Sequence, residues 1–393
     1  MNQFAVMMNE KGNIAVDDTL LIKDVPATAG SRILEGFTPL FSAEAVERLQ
    51  QKGYTVAGKT HVGEFGLDLV GEFTYYAPQS GVLQGAAASA VAAGDVKAAL
   101  GVDMNGAPRR AAALAGVDFL KPTYGTVSRY GVISCAASGE QVGVYGKDAK
   151  NVAELMAVIA GYDPKDGTSL KHETYDYTLA DVQGKKVALV TELLQKADEA
   201  TRAKVLAFAD ELKAAGVEVV EIDCDLFALA NTAWQILMCA ETCNNVSRYD
   251  GVKYGHRAAD YKNIDELYVN TRTEGFNFLT KAVILYGSDV LSKHRYKDCY
   301  DKSLRVRRVI SEAMNELFGQ YDALLTPAAF AASFDAYDVK DAFGKVFAQS
   351  ECTAVANLIG IPALACHGVQ LLGKAFDDAL LLSLAAAVEK KGE

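Results

Sequence analysis

Two stretches of small residues, VLQGAAASAVAAG (82–94) and GVDMNGAPRRAAALAG (101–116), lie in tandem. Glycine and alanine let backbones approach closely. A glycine-rich turn at the start of a helix can present N–H groups to an anion or to the oxyanion of a tetrahedral intermediate. Such a turn normally carries a nucleophile or a phosphate-binding residue, yet the position that should hold it here is an alanine. Close helix–sheet packing accounts for the small residues equally well, so both readings stand on composition alone. Elsewhere the reactive side chains are scattered. The seven cysteines are odd in number and mostly in apolar contexts (Cys135, Cys352, Cys366), which reads as buried thiols in a reducing compartment. Cys239 and Cys243 share a helical face, but no further Cys or His stands at metal-ligand spacing. The five histidines (His61, His172, His256, His294, His367) form no HExxH or comparable signature. No metal and no cofactor are expected.

The elements that must position this segment alternate in kind. SAEAVERLQQK (42–52) reads as an amphipathic helix capped by Ser42 and ended by Gly53, with YTVAGKT (54–60) as the next strand. The alanine-rich segment 83–115 favours helix between its glycines, and GVDFLKPTYG (116–125) reads as strand then turn. DAKNVAELMAVIAGYDP (148–164) is a capped helix stopped by Gly161 and Pro164. KKVALVTE (185–192) is a buried strand, 194–216 a helix, and VEVVEID (217–223) a strand. Beyond it, an apolar helical run over 225–248 precedes a Tyr-, Asp-, Arg- and Lys-rich surface excursion (249–275). A long helix over 293–321, a strand at YDALLTPA (321–328), two short strands in IPALACHGVQLLGK (361–374) and a C-terminal helix complete the chain. Apolar strands alternating with helices predict an α/β fold with a parallel or mixed sheet covered on both faces. With no repeat and no low-complexity linker, residues 1–393 read as one domain.

Half of the residues are hydrophobic and 23% are charged, an ordinary globular balance, and the chain of 393 residues can bury a large core. A net charge of −11 argues against direct nucleic-acid binding by this chain, though not against a partner subunit that carries a basic surface. No run of about 18 apolar residues suggests a membrane span, and MNQFAVMMNEKGN has no signal-like pattern, so a cytoplasmic location is expected.

Further motifs, taken in order, resemble a known family. IKD (22–24), TAGSRILEGF (28–37), VAGKTHVGEF (56–65), AVAAGDVKAALG (90–101), LKPTYGTVSRYG (120–131) and QVG (141–143) recur in the order seen in the amidase signature family. SRYDGVKYGHRA (247–258), NTRTEGF (270–276), TAVANLIGIPALAC (353–366) and QLLGKAFDDALLL (370–382) are similar to segments of its branch of A subunits of glutamine-dependent Glu-tRNA(Gln)/Asp-tRNA(Asn) amidotransferases. The resemblance covers nearly the whole chain. It implies an amidase-signature fold, a mixed central sheet covered by helices on both faces, and an N-terminal helical segment largely absent here.

It also implies a chemistry in which a serine attacks an amide carbonyl, a second serine in a cis peptide relays the proton, and a buried lysine is the ultimate base. In the A subunits, ammonia released from glutamine passes to a partner subunit. Carried over residue by residue, the lysine falls on Lys23 in the apolar strand TLLIKD, the relay serine on Leu83 and the nucleophile on Ala107. Without serine partners, Lys23 reads more simply as a cation paired with Asp24 or Asp103. The oxyanion turn survives as Met104, Asn105, Gly106 and Ala107, with Pro108 removing an N–H just after it. Thr280-Lys281-Ala282-Val283 stands where a carboxylate-binding arginine pair is implied, and Ser350, with Glu351 beside it, where an ammonium-binding aspartate is implied. Arg109, beside Arg110, is a candidate ligand cation, with a structural salt bridge as the plainer reading. Cys135, next to Ser134, is a candidate rescuing nucleophile, with a core thiol as the plainer reading. The expected protein is therefore a catalytically impaired pseudo-amidase that acts by binding a partner, either amidotransferase B- or C-type subunits or a second copy of itself. The alternatives are an active amidase or amidotransferase subunit with a rearranged nucleophile, and a small-molecule binder that reuses the old pocket.

Overall fold

The computed structural model describes residues 3–171 and 175–389; His172 and the last two lysines of the expected C-terminal helix lie outside the described residues. Among the described residues, eleven strands form one sheet and thirteen α-helices cover it. They are β1 (Phe4–Met7), β2 (Ile14–Asp17), β3 (Val56–Thr60), β4 (Ala98–Asp103), β5 (Asp118–Lys121), β6 (Gln141–Gly146), β7 (Lys186–Val190), β8 (Glu218–Ile222), β9 (Ala323–Pro327), β10 (Ala363–Cys366) and β11 (Val369–Gly373). Their spatial order is β1-β3-β2-β4-β6-β5-β10-β11-β9-β7-β8. Parallel pairs (β2 with β3 and β4, β7 with β8 and β9) flank an antiparallel centre, so the sheet is mixed.

The covering helices are α1 (Glu44–Gln51), α2 (Ala86–Ala92), α3 (Ala107–Ala115), α4 (Ala149–Ile159), α5 (Thr191–Lys196), α6 (Glu199–Ala214), α7 (Leu226–Asn245), α8 (Ile264–Gly275), α9 (Phe278–Val290), α10 (Lys302–Leu317), α11 (Ala342–Gln349), α12 (Ala354–Ile359) and α13 (Asp378–Glu389). Alternation along each strand divides the core between the two faces. Ile14 and Val16 of β2 and Leu120 of β5 pack with α1, α4, α6 and α13. Ala15 and Phe119 point the other way, into a cluster with α2 and α3. Ala15, Ala57 and Ala99 on that second face are small, which lets the two short helices lie close, while Phe119 and Tyr145 fill the space beside them. Gly85 marks the limit of that approach: a Cβ there would sit 2.7 Å from Ala111 Cβ. Farther along the sheet, α7, α9 and α12 build a third cluster around the buried Trp234.

Several expected elements shift, each for a local reason. A six-residue strand, β4, interrupts the alanine-rich segment between α2 and α3, because strand pairing overrides the helical propensity of Ala98-Ala99-Leu100. β1 and β6 have no counterpart among the expected elements. TLLIKD is not a strand: the strand ends at Asp17, and residues 18–25 form a loop whose apolar side chains turn inward. Ser42 does not cap α1, which starts after Ala43 with no side-chain cap; the Ser42 hydroxyl instead accepts the Lys23 N–H at 2.9 Å. The helix expected over 194–216 is two helices, broken where Asp198 caps α6 by accepting from Thr201 N–H. The long helix over 293–321 is a π-helical turn, Lys297–Asp301, followed by α10.

Candidate functional site

β4 runs into the turn that opens α3, and the turn is held by its own acid. Asp103, fully buried, accepts from Gly106 N–H at 3.0 Å and from Arg109 Nε at 2.8 Å. Gly106 has φ 82°, and a Cβ at that position would overlap the Thr353 side chain, so the turn requires glycine. The Gly106 N–H that an oxyanion would need is thus occupied by a carboxylate. Burial works against the Asp103 anion, but the Arg109 guanidinium and the Asn357 amide outweigh it and hold the carboxyl below its usual range.

Ala107 lines a cavity of about 30 Å³, counted as space open to the centre of a water molecule. That holds about two waters. Its polar lining is Asp17, His61, Asp68 and Tyr145; the remainder is glycine, alanine, valine and proline. Among the described residues lining it there is no serine, threonine, cysteine or lysine. Each polar group is turned toward its uncharged form by burial. Burial raises the Asp17 carboxyl against the hydrogen bonds it accepts from Thr19 and Val102. Asp68 is raised well above its ordinary value by burial and by the neighbouring Glu72. The His61 imidazole is lowered by burial, and the Tyr145 hydroxyl is raised well up by the same cause. A second cavity of about 90 Å³ shares His61, Gly85 and Ala86 with the first and is also lined by Ser89.

The positions expected to act at this site fall as follows. Lys23 is exposed on a turn, and neither of its expected partners holds it in the core. Asp103 pairs with Arg109 instead. The β2 side chain that reaches the cavity is Asp17, an acid, where the resemblance implied a lysine. The lysine buried nearby is Lys59 of β3, in an ion pair with Asp18 at 2.8 Å and within 3.2 Å of Pro26 O. It was visible in VAGKTHVGEF but carried no assignment. Leu83 is buried in the apolar cluster beneath α2, does not line the cavity, and donates its N–H to Phe334 O at 2.8 Å. Of Met104, Asn105, Gly106 and Ala107, only Ala107 lines the cavity.

Arg109 cannot serve a ligand. All five of its N–H donors are engaged, by Asp103 (twice), Asn357, Gln370 and Thr353 O. Arg110, also buried, donates to Leu69 O, Asn105 O and Thr353 Oγ1, and burial beside Arg109 lowers it to about 10. Ser350 donates to Val346 O within its own helical turn, and Glu351 pairs outward with Lys196 at 2.6 Å; neither lines the cavity. Cys135 is buried against Thr242, and burial pushes its thiol far up, away from the thiolate a nucleophile needs. Thr280 donates its hydroxyl to Glu64. Sequence reasoning passed over Asp17, His61, Asp68 and Tyr145; the Asp17-Asp18 pair closing an apolar strand was the signal available for the first.

The same outline recurs in known proteins. The family model described as Amidase matches residues 13–382. The chain is 35% identical over 403 residues to the A subunit of the glutamyl-tRNA(Gln) amidotransferase of Agathobacter rectalis, covering 97% of this chain and 80% of that one. It is 34% identical over 400 residues to the A subunit of the same enzyme from Fusobacterium nucleatum, covering 96% and 82%. Among solved structures, that of the glutamyl-tRNA(Gln) amidotransferase A subunit from Thermotoga maritima superposes with a TM-score of 0.82 at 28% identity, over 99% of this chain and 87% of that one.

Proposed function

The chain belongs to the amidase family, and from that premise we propose that it resembles the A subunits in build but no longer hydrolyses amides and acts by holding a partner subunit. One observation carries the reading: the cavity at Ala107 is lined without a hydroxyl or thiol nucleophile other than the Tyr145 phenol, and without a lysine base. Serine attack needs an adjacent base to take its proton. Here the serine position is a methyl group, the strand supplies Asp17, and the turn's Gly106 N–H is held by Asp103. The relay position, Leu83, is part of the apolar core.

What the fold retains is a surface. The relatives named above are subunits of amidotransferases, and nearly the whole of this chain matches 80% and 82% of their length. Val269 of α8, in the region that composition alone marked as a surface excursion, is 63% exposed, and Leu285 of the following α9 is 71% exposed. We infer B- or C-type amidotransferase subunits as the partner class, in the cytoplasm, with the partner supplying any contact to RNA. Among the described residues no helix is long and apolar enough to cross a membrane. The test is a glutaminase assay on the purified chain, alone and with B- and C-type subunits, together with co-purification. Capture of a partner without ammonia release is expected. Glutamine turnover by this chain would overturn the reading.

A further inference from the structure

The sheet face opposite the Ala107 cavity holds a second cluster of ligating side chains. Asp118 begins β5, and alternation along that strand sends it to the side of Leu120, away from Phe119 and α3. His367 sits in the two-residue turn between β10 and β11, and Glu389 ends α13. One ligand atom from each of the three lies within 4.8 Å of the others. His367 Nε2 and Glu389 Oε1 are 3.7 Å apart. A metal about 2.0–2.2 Å from each of its tetrahedral ligands spaces them about 3.3–3.6 Å apart, so an inward movement of the three side chains would close such a shell.

Two features distinguish this cluster from an ordinary surface ion pair. Asp118 is 3% exposed, and its buried Oδ2 meets no N–H or hydroxyl donor, the Glu389 carboxyl being the side chain beside it. The charged groups that bear on it are Glu389 and Asp148, both acids, so nothing of opposite sign compensates it apart from the neighbouring imidazole. Glu389 Oε1 is already oriented by the Ala149 N–H at 3.0 Å, the kind of outer support that fixes a ligating carboxylate. His367 is also held in a costly place. Its φ is 49° and that of Gly368 is 81°, the left-handed pair of a tight hairpin turn that favours Asn-Gly.

We propose that Asp118, His367 and Glu389 form a binding site for one divalent transition-metal ion of the Zn2+ class, which ties the end of α13 to β5 and to the β10–β11 turn. One imidazole nitrogen and two carboxylates suit Zn2+, and two anions against a dication leave the site near neutrality, with water in the open position. The competing arrangement is a proton shared by the two carboxyls, with the imidazole merely adjacent.

Chelator-treated full-length protein titrated with ZnCl2 by calorimetry, and with CoCl2 by visible absorption, separates the two. One equivalent of ion per chain, a rise in Tm with Zn2+, and the absorption bands of protein-bound Co2+ are expected. D118N and E389Q should weaken binding by at least about 10-fold, since even changes outside the ligand shell have effects of that size. H367N should weaken it equally while leaving the metal-free Tm unchanged or higher, because asparagine accepts the left-handed turn. That variant therefore keeps the test open if D118N fails to fold. No saturable one-to-one binding by the wild type, or binding by H367N as tight as wild type, would overturn the proposal.

Discussion

At Ala107 and Leu83 the same substitution has different consequences, because the two side chains face different surroundings. Ala107→Ser adds a hydroxyl to the wall of a water-sized cavity, whereas Leu83→Ser removes a buried side chain from a cluster that includes Ala15, Leu69 and Val70. The double variant is expected to lose about 2–5 kcal/mol in urea unfolding, nearly all of it from position 83. It should still release no ammonia from glutamine, since Asp17 gives the new serine no base of the kind the family uses. Turnover above the wild-type background would show that the cavity had kept a base. A pH effect belongs at the same scale. Glu64 is buried among Ser31, Thr280 and the Asn277 N–H, and burial, outweighing those hydrogen bonds, raises its carboxyl from 4.5 to about 7. Between those values the folded state keeps a proton that the unfolded state has lost. Glu64 therefore lowers stability as pH rises through that window, has no effect below it, and has a constant one above it. Glu64→Gln should remove a slope worth about 3 kcal/mol across pH 4.5–7. Chemical denaturation of both proteins at several pH values checks this, and parallel curves would exclude it.

At the scale of elements, the turn from β4 into α3 stands on one buried ion pair. Arg109→Met would leave Asp103 charged and without its main partner in a dry interior, and a loss of about 3–5 kcal/mol in urea unfolding is expected. A loss under about 1 kcal/mol, the range of an ordinary surface ion pair, would mean that Asn357 and the Gly106 N–H hold the carboxylate unaided. This pair also shows where sequence reading reached and where it stopped. The alanine that opens α3 was legible as part of the turn, because Ala107 sits in a long collinear motif with glycine at its hinge. The salt-bridge reading of Arg109 was legible too, since an arginine near an acid in an apolar segment needs a partner. Lys23 was misplaced for a physical reason: TLLIK has the apolar run of a buried strand, but its side chains enter the core from a loop, and the paired strand ends at Asp17. β4 was hidden because Ala98-Ala99-Leu100 has helical propensity, and only pairing with β2 and β6 makes it a strand. No spacing rule could join Asp118, His367 and Glu389, which meet only because β5 lies beside β10 and α13 packs against β10 and α4.

For the whole molecule, the proposed role makes a prediction about competition rather than turnover. The chain keeps the sheet and 80–87% of the length of its relatives, and its net charge of −11 argues against RNA contact through this chain. If it occupies the place of a working A subunit, adding it in excess to an active amidotransferase should lower glutamine-dependent product formation by displacement. Ammonia supplied directly bypasses the missing hydrolysis, so the ammonia-dependent rate of the same mixture should remain. V269E and L285E place charges on apolar side chains that are 63% and 71% exposed, and each is expected to cut partner capture by about 10-fold or more, as desolvating a charge at an interface core does. Neither position is buried, so Tm of the free chain should stay within about 1–2 °C of wild type, the range of ordinary surface substitutions in a protein of this size. Equal loss of the glutamine- and ammonia-dependent rates would point to poisoning of the partner's own chemistry. Full partner capture by both variants would move the interface off α8 and α9.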